Sequence, residues 1–213
     1  MADYEHHVFL SYRRSDEDWV RWTQENLVRP LRSLLRPALG DVRIFVDQQI
    51  DTGADWPMRL ARALARSRLL IPVLSRDYFH SDWCRLELAL MYRREQQCGL
   101  RTPANPDGLI LPLVIDDGES FPPEVQAIQR TNIQEFANPW IRLDSPRQED
   151  FAERLRQWCP CVEAALLRIP PYDPAWEALA IDEFRHQFQI HPAAQTRVPG
   201  LSLHQAEIRT SAP

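Results

Sequence analysis

Four short apolar runs, separated by stretches of helical periodicity, constrain this chain more than any other feature of it. They are HVFLSY (His7 to Tyr12), VRIFV (Val42 to Val46), LLIPVL (Leu69 to Leu74) and LILPLVI (Leu109 to Ile115), and a fifth, weaker candidate lies near Asn132 to Phe136. Each is short for a helix and rich in strand-forming residues. LLIPVL and LILPLVI are apolar throughout, as suits strands covered on both faces. Between the runs, Trp19, Trp22, Asn26 or Leu27, Leu31 and Leu34 recur at helical spacing after a cap in Ser15 to Asp18, with a kink expected at Pro30. Met58, Leu60, Ala61, Leu64 and Ala65 mark a second helix, and Ser81 caps a third that ends near Cys98 with Gly99 as its stop. Ser145-Pro146 with Gln148 opens a fourth, expected to run to about Trp158 and to be interrupted at Cys159-Pro160-Cys161.

Strands alternating with helices predict an α/β domain built on a parallel sheet. Ligands of such sheets bind beyond the C-terminal strand ends, where the strand order reverses. Tyr12 to Ser15, Asp47 to Trp56, Ser75 to Ser81 and Asp116 to Glu119 are therefore the segments where function is expected.

Composition removes several chemistries. All 25 basic residues are Arg, so no lysine is available for a Schiff base, a pyridoxal phosphate anchor or a phosphate-binding loop. A wholly Arg repertoire fits a GC-rich bacterial genome. A net charge of −5 argues against a dedicated nucleic-acid binder. Cys84, Cys98, Cys159 and Cys161 form no CxxC pair and the six His are scattered, so no metal is assigned and reduced structural thiols are expected. The N-terminus MADYEHHVFL does not read as a signal peptide, and no apolar stretch nears the roughly 18 residues of a membrane span, so a cytoplasmic protein is expected with no membrane partner.

Asp173 to Gln189 places Trp176, Ala180, Phe184 and Phe188 on one helical face, to be buried against the domain itself or against a partner or second copy. The expected organisation is a domain over 5–160, a helical extension over 161–190 and a mobile tail over 191–213.

The helix SDWCRLELALMY (residues 81–92) carries the sharpest functional signal. Glu87 falls inside its apolar stripe, between Trp83 and Leu90 on one side and Cys84 and Met91 on the other. A carboxylate there is costly without a partner or ligand. VFLSYRRSD (Val8 to Asp16), IFVDQQIDTGADW (Ile44 to Trp56) and LIPVLSRDYFHSDWCRLEL (Leu70 to Leu88) resemble, in order and spacing, the three sequence boxes of Toll/interleukin-1 receptor (TIR) domains, over roughly residues 5 to 160.

The resemblance implies a flavodoxin-like, doubly wound, five-stranded parallel sheet. TIR domains divide into signalling adaptors without turnover and enzymes that cleave the nicotinamide–ribosyl bond of NAD, hydrolysing it or cyclising the product. In the enzymes a glutamate in a WCxxE-like motif is catalytic, and Glu87 matches it. Tyr12 and Arg13 match the family's aromatic and basic pair near the ligand, and Arg13 could pair with the pyrophosphate. Arg14 is either a ligand contact or a solvated charge. Asp51 stands where the family often has a glutamate two residues before the loop glycine. Trp56 could stack on a base or pack beneath the loop; Trp83 and Asp82 read as structural more than ligand-contacting. A bacterial NAD-cleaving enzyme of immune or cell-suicide signalling is the leading expectation, with NAD as substrate, no tightly bound cofactor, self-association through TIR–TIR contacts and an upstream sensor. A non-enzymatic TIR adaptor is the alternative.

Overall fold

The computed structural model describes residues 3–14, 16–47, 56–116, 118–119 and 121–188. Strand β1 (His6–Tyr12) leads into α1 (Glu17–Trp22), a π-helical segment (Thr23–Val28) and α2 (Arg29–Leu39). Then follow β2 (Ile44–Val46), α3 (Trp56–Ala65), β3 (Ser67–Leu74), a 3-10 turn (Asp77–His80) and α4 (Asp82–Gln97). After them come β4 (Leu113–Val114), the short α5 (Pro123–Gln126), β5 (Thr131–Asn132), a second 3-10 turn (Gln134–Phe136), α6 (Pro146–Leu166) and α7 (Ala175–Gln187).

The five strands are all parallel, in the order β2-β1-β3-β4-β5. The chain leaves β1 for one side and returns to its other side as β3, so the C-terminal ends of β1 and β3 bound the crevice where the order reverses. Val8, Phe9, Leu10, Leu69, Leu70 and Ile71 are fully buried, as a sheet covered on both faces requires.

Prolines explain most of the departures from expectation. The apolar run at 109–115 is regular strand only over Leu113–Val114, with an isolated bridge between Leu70 and Ile110. Pro72 and Pro112 stand opposite one another there, and a proline cannot donate to the ladder. The backbone that leads into it is ordered instead by fully buried Glu95, which accepts from Leu109 N at 2.5 Å, Ile110 N at 2.9 Å and both arms of Arg101. A Cβ at Gly108 would lie 2.0 Å from an Arg101 nitrogen, so a side chain there would displace the guanidinium from this cluster. The fifth strand covers Thr131–Asn132, and most of the segment expected as strand is 3-10 turn.

Pro160 does not interrupt its helix as expected: α6 runs through it to Leu166, so a junction at 160/161 would fall inside a helix. The ring costs about 3 kcal/mol in a helix interior. Here Pro160 is exposed, so the carbonyl it deprives of a partner can meet water, while Cys159, Val162 and Leu166 anchor both sides on the core. At Pro30 the irregularity spreads N-terminally into the π-helical segment, where Arg29 N–H bonds to the carbonyl of Gln24, five residues back.

The C-terminal amphipathic helix docks onto the domain. Trp176, Ala180 and Phe184 of α7 are buried, chiefly against α3 with additional contact to α4. Arg94 of α4, also buried, has no carboxylate partner among the described residues. It donates to Ser67 O at 2.9 Å and to the Tyr4 hydroxyl, and lies 4.0 Å from the centre of the Trp176 ring. Glu177 adds ion pairs to Arg66 and Arg62. Residues 189–213 lie outside the described residues. Trp176→Ala is expected to cost about 3 kcal/mol, as for other buried Trp truncations. A thermal melt of the full chain measures this, and limited proteolysis should show α7 cut first.

Candidate functional site

At the end of β1 the pleat sends consecutive side chains to opposite faces of the sheet. Ser11 points towards α4, and Tyr12 towards α1 and the π-helical segment. Ser81 caps α4, its hydroxyl accepting from Cys84 N, and Trp83, Cys84 and Glu87 occupy the first two turns. Asp82 makes a local ion pair with Arg85 on the exposed face.

Glu87 is 5% exposed. Its Oε2 accepts from the Ser11 hydroxyl at 2.5 Å; Ser11 Oγ also lies 2.8 Å from the hydroxyl of buried Tyr78, which donates to Cys84 O at 3.1 Å. Burial pushes the Glu87 carboxyl up to about 8, opposed by the Ser11 hydrogen bond and reinforced by the negative charge of Asp47. Ser11 thus donates to Glu87 and Tyr78 to the first turn of α4, so the carboxyl is held by a hydrogen bond that favours its ionised form against the burial that opposes it. The same burial raises Tyr78 well above its ordinary value and, together with Glu87, pushes the Cys84 thiol up to about 12. Cys84 therefore stays a thiol and is no nucleophile at neutral pH.

The opposite wall is organised by Asp47, the first residue after β2. One of its oxygens accepts from Arg14 at 3.1 Å, the other from Trp56 Nε1 at 3.1 Å. Arg14 is thus a paired residue of the wall and not a free surface charge. Trp56 meets Trp83 edge-on at 4.4 Å between ring centres, and Trp83 also stacks on Phe188 at 3.4 Å and meets Phe184 at 5.8 Å. Trp83 thereby joins α7 to the cleft wall, while Trp56 both packs and lines the opening. Arg13 is exposed and carries no ion pair with a described residue.

These side chains enclose a cleft of about 740 Å³. Tyr12, Arg13, Arg14, Trp56, Trp83 and Glu87 all line it; Asp51 and Ser15 lie outside the described residues. Ser11, Asp47 and Gln24 line it as well and were missed as site residues. Ser11 carried a signal, as the hydroxyl inside an apolar strand beside Tyr12. Asp47 and Tyr78 lie in segments after strands where function is expected, but nothing in their local sequence singles them out.

A family model described as "TIR domain" matches residues 8–158. Among solved structures, the chain is similar to the TIR domain of the Toll-related receptor TRR-2 from Hydra magnipapillata, at 21% identity over 60% of this chain and 84% of that one, with a TM-score of 0.41. It is also similar to the TIR domains of the activated Roq1 resistosome that directly recognises the pathogen effector XopQ, at 18% identity over 86% of this chain and 99% of that one, with a TM-score of 0.37. The family match spans most of the length and all three sequence boxes, and on it the chain belongs to the TIR domain family.

Proposed function

We propose that this protein cleaves the nicotinamide–ribosyl bond of NAD⁺, as a glycohydrolase or cyclase of a bacterial immune or cell-suicide pathway. The observation that carries the reading is Glu87: a carboxyl buried among apolar residues, held by β1 through Ser11, and forming part of the wall of a cleft at the point where strand order reverses.

The chemistry follows from that placement. As the C1′–N bond breaks, its electron pair leaves with nicotinamide, which departs neutral and needs no general acid. Positive charge grows on the ribose, and an adjacent carboxylate stabilises it. Water, or a nitrogen of the same molecule's own base, then attacks C1′. Glu87 is mostly neutral in the free protein near pH 7, and the cationic nicotinamide ring of an arriving substrate favours its ionised form. Arg13, which carries no ion pair with a described residue, would meet the pyrophosphate. Self-association belongs to this reading, so turnover should rise with protein concentration.

The direct test incubates concentrated protein with NAD⁺ and follows nicotinamide release by chromatography. Glu87→Gln and Glu87→Ala should lower turnover by about 10²-fold or more. Equal turnover by all three would remove Glu87 from the mechanism, and no release in any assembly state would favour the adaptor.

The pH dependence has a defined sign. Because the ionised form acts, kcat/KM should rise with pH and level off above about 8, while kcat, which reports the substrate-bound state, should rise at lower pH. Ser11→Ala removes a hydrogen bond that favours the carboxylate. Its profile should move to higher pH, with a loss of about tenfold at pH 7. An unmoved profile would show Ser11 to be structural only.

Stability carries the same signature in reverse. The folded carboxyl holds its proton up to about 8 against an ordinary value of 4.5, so the stability that proton confers is complete below pH 4.5 and lost as pH rises through 8. Glu87→Gln should flatten that fall, by an amount on the order of a few kcal/mol in denaturant melts at pH 9.

A further inference from the structure

We propose that the arginine-lined groove between α2 and the turn leading into β2 binds a small anion built of linked phosphate groups. The groove lies at the N-terminal end of β2, whereas Asp47 of the Glu87 cleft follows the C-terminal end of that strand, and the two openings share no lining residue. The inference therefore does not depend on NAD⁺ being a substrate.

Most of the groove comes from one face of one helix. At 100° per residue, Arg29, Arg32, Ser33 and Arg36 fall within about 100° of one another around α2. All four are exposed, and Leu31 and Leu35 on the other side of the helix are fully buried. Gly40 ends the helix at a φ of 72°, where glycine is favoured, its N–H bonding to Arg36 O. The chain then turns so that exposed Asp41 and buried Val42 complete the lining of a groove of about 510 Å³.

The charge on this face is unmatched. Elsewhere, helices pair an exposed arginine with a carboxylate one turn away: Arg21 with Asp18 in α1, Arg85 with Asp82 in α4, Arg156 with Glu153 in α6 and Arg185 with Asp182 in α7. α2 contains no acidic residue, and Arg29, Arg32 and Arg36 carry no ion pair with a described residue. Like charges three and four residues apart destabilise a helix, so the arrangement costs stability that mixed charges would not. The helix dipole offsets this for Arg36 in the last turn, but Arg29 and Arg32 lie too far from the C-terminus to benefit. Asp41 brings one negative charge to the groove against three positive ones.

The ligand class follows from what the lining lacks. It has no aromatic ring to stack on a base, and its apolar side chain, Val42, is 5% exposed, so nothing seats an anchor residue of a protein partner. Recognition is left to charge and hydrogen bonding. Guanidinium forks match phosphate oxygens in pairs, and the Ser33 hydroxyl adds a donor. The three arginine stems leave the helix along about 10 Å of its axis, more than one phosphate group covers, and a run of two or three linked phosphates meets them in turn.

The test is calorimetry of the full-length chain with inorganic tripolyphosphate, ATP and orthophosphate, beside thermal melts with and without tripolyphosphate. Wild type should bind tripolyphosphate and ATP alike, within about threefold, and orthophosphate at least about tenfold more weakly, with affinities that fall as salt rises. Arg29→Gln, Arg32→Gln and Arg36→Gln should each weaken tripolyphosphate by about tenfold and together by about 10²-fold or more. Asp41→Asn should strengthen it by about threefold. Tripolyphosphate should raise the melting temperature of wild type and not of the combined variant, which without ligand should melt no lower than wild type because the repulsion is gone. The site is overturned if wild type does not bind tripolyphosphate or if orthophosphate binds as tightly. It is also overturned if Arg59→Gln, an exposed position on α3, weakens binding as much as the groove variants, since overall charge would then be the cause. Loss of binding in Arg13→Gln would put the anion in the Glu87 cleft and remove the groove. A short DNA duplex that binds through the same arginines while tripolyphosphate does not would make the face a nucleic-acid contact and likewise remove the small-anion site.

Discussion

The hydrogen bond from Ser11 to Glu87 ties the middle of the sheet to the helix that carries the site's carboxyl, and much of the site's geometry depends on it. β1 is paired on both sides, so its position is fixed by two ladders. Ser11 inherits that rigidity and passes it to Glu87, while Tyr78 braces Ser11 from behind and is itself bonded to the first turn of α4. The carboxyl is thus held from a strand, a turn and a helix, and little reorganisation is left for the moment when charge develops on a ligand. A surface glutamate on the same helix would be solvated, screened and free to rotate, and could offer no such field.

A second line of contacts connects this site to the C-terminal helix. Arg94 and Trp176 fix the start of α7 beside α4, and Phe184 and Phe188 carry its other end to Trp83. Trp83 meets Trp56, Trp56 donates to Asp47, and Asp47 holds Arg14 at the cleft wall. The wall opposite Glu87 is therefore assembled partly from outside the span matched by the family model, which ends at residue 158. A buried arginine without a carboxylate is an expensive way to anchor a helix. It is tolerable here because a carbonyl, a hydroxyl and two aromatic faces surround the guanidinium.

What was legible in the sequence is what depends on local pattern. Continuous apolar runs marked β1 and β3, and Ser81 marked the start of α4. The helical angle of Glu87 within an apolar stripe foretold its burial. What was not legible depends on partners far along the chain. The run at 109–115 looked like one strand because its own residues favour it, but Pro72 in β3 lies 40 residues earlier and breaks the ladder between them. Pro160 looked like a stop because the burial of Val162 and Leu166 that offsets it is a tertiary property. The π-helical segment left no trace, because adjacent buried residues such as Asn26 and Leu27 are equally compatible with an α-helix. Asp47 and Tyr78 became visible only when the fold brought them to Arg14, Trp56 and Ser11.

The state of the Glu87 proton links these observations. Without a cationic partner the carboxyl prefers to be neutral, because burial and the negative charge of Asp47 outweigh the hydrogen bond that Ser11 donates to it, and together they hold the value near 8. A cationic ligand removes the larger part of the penalty by supplying the opposite charge, so the carboxylate forms where and when a positive ring is present. An occupant that places no cationic group beside Glu87 offers no such compensation. Selectivity for a substrate whose charge is lost as its bond breaks can therefore arise from the protonation equilibrium of one buried side chain, before any contact to the rest of the ligand is counted.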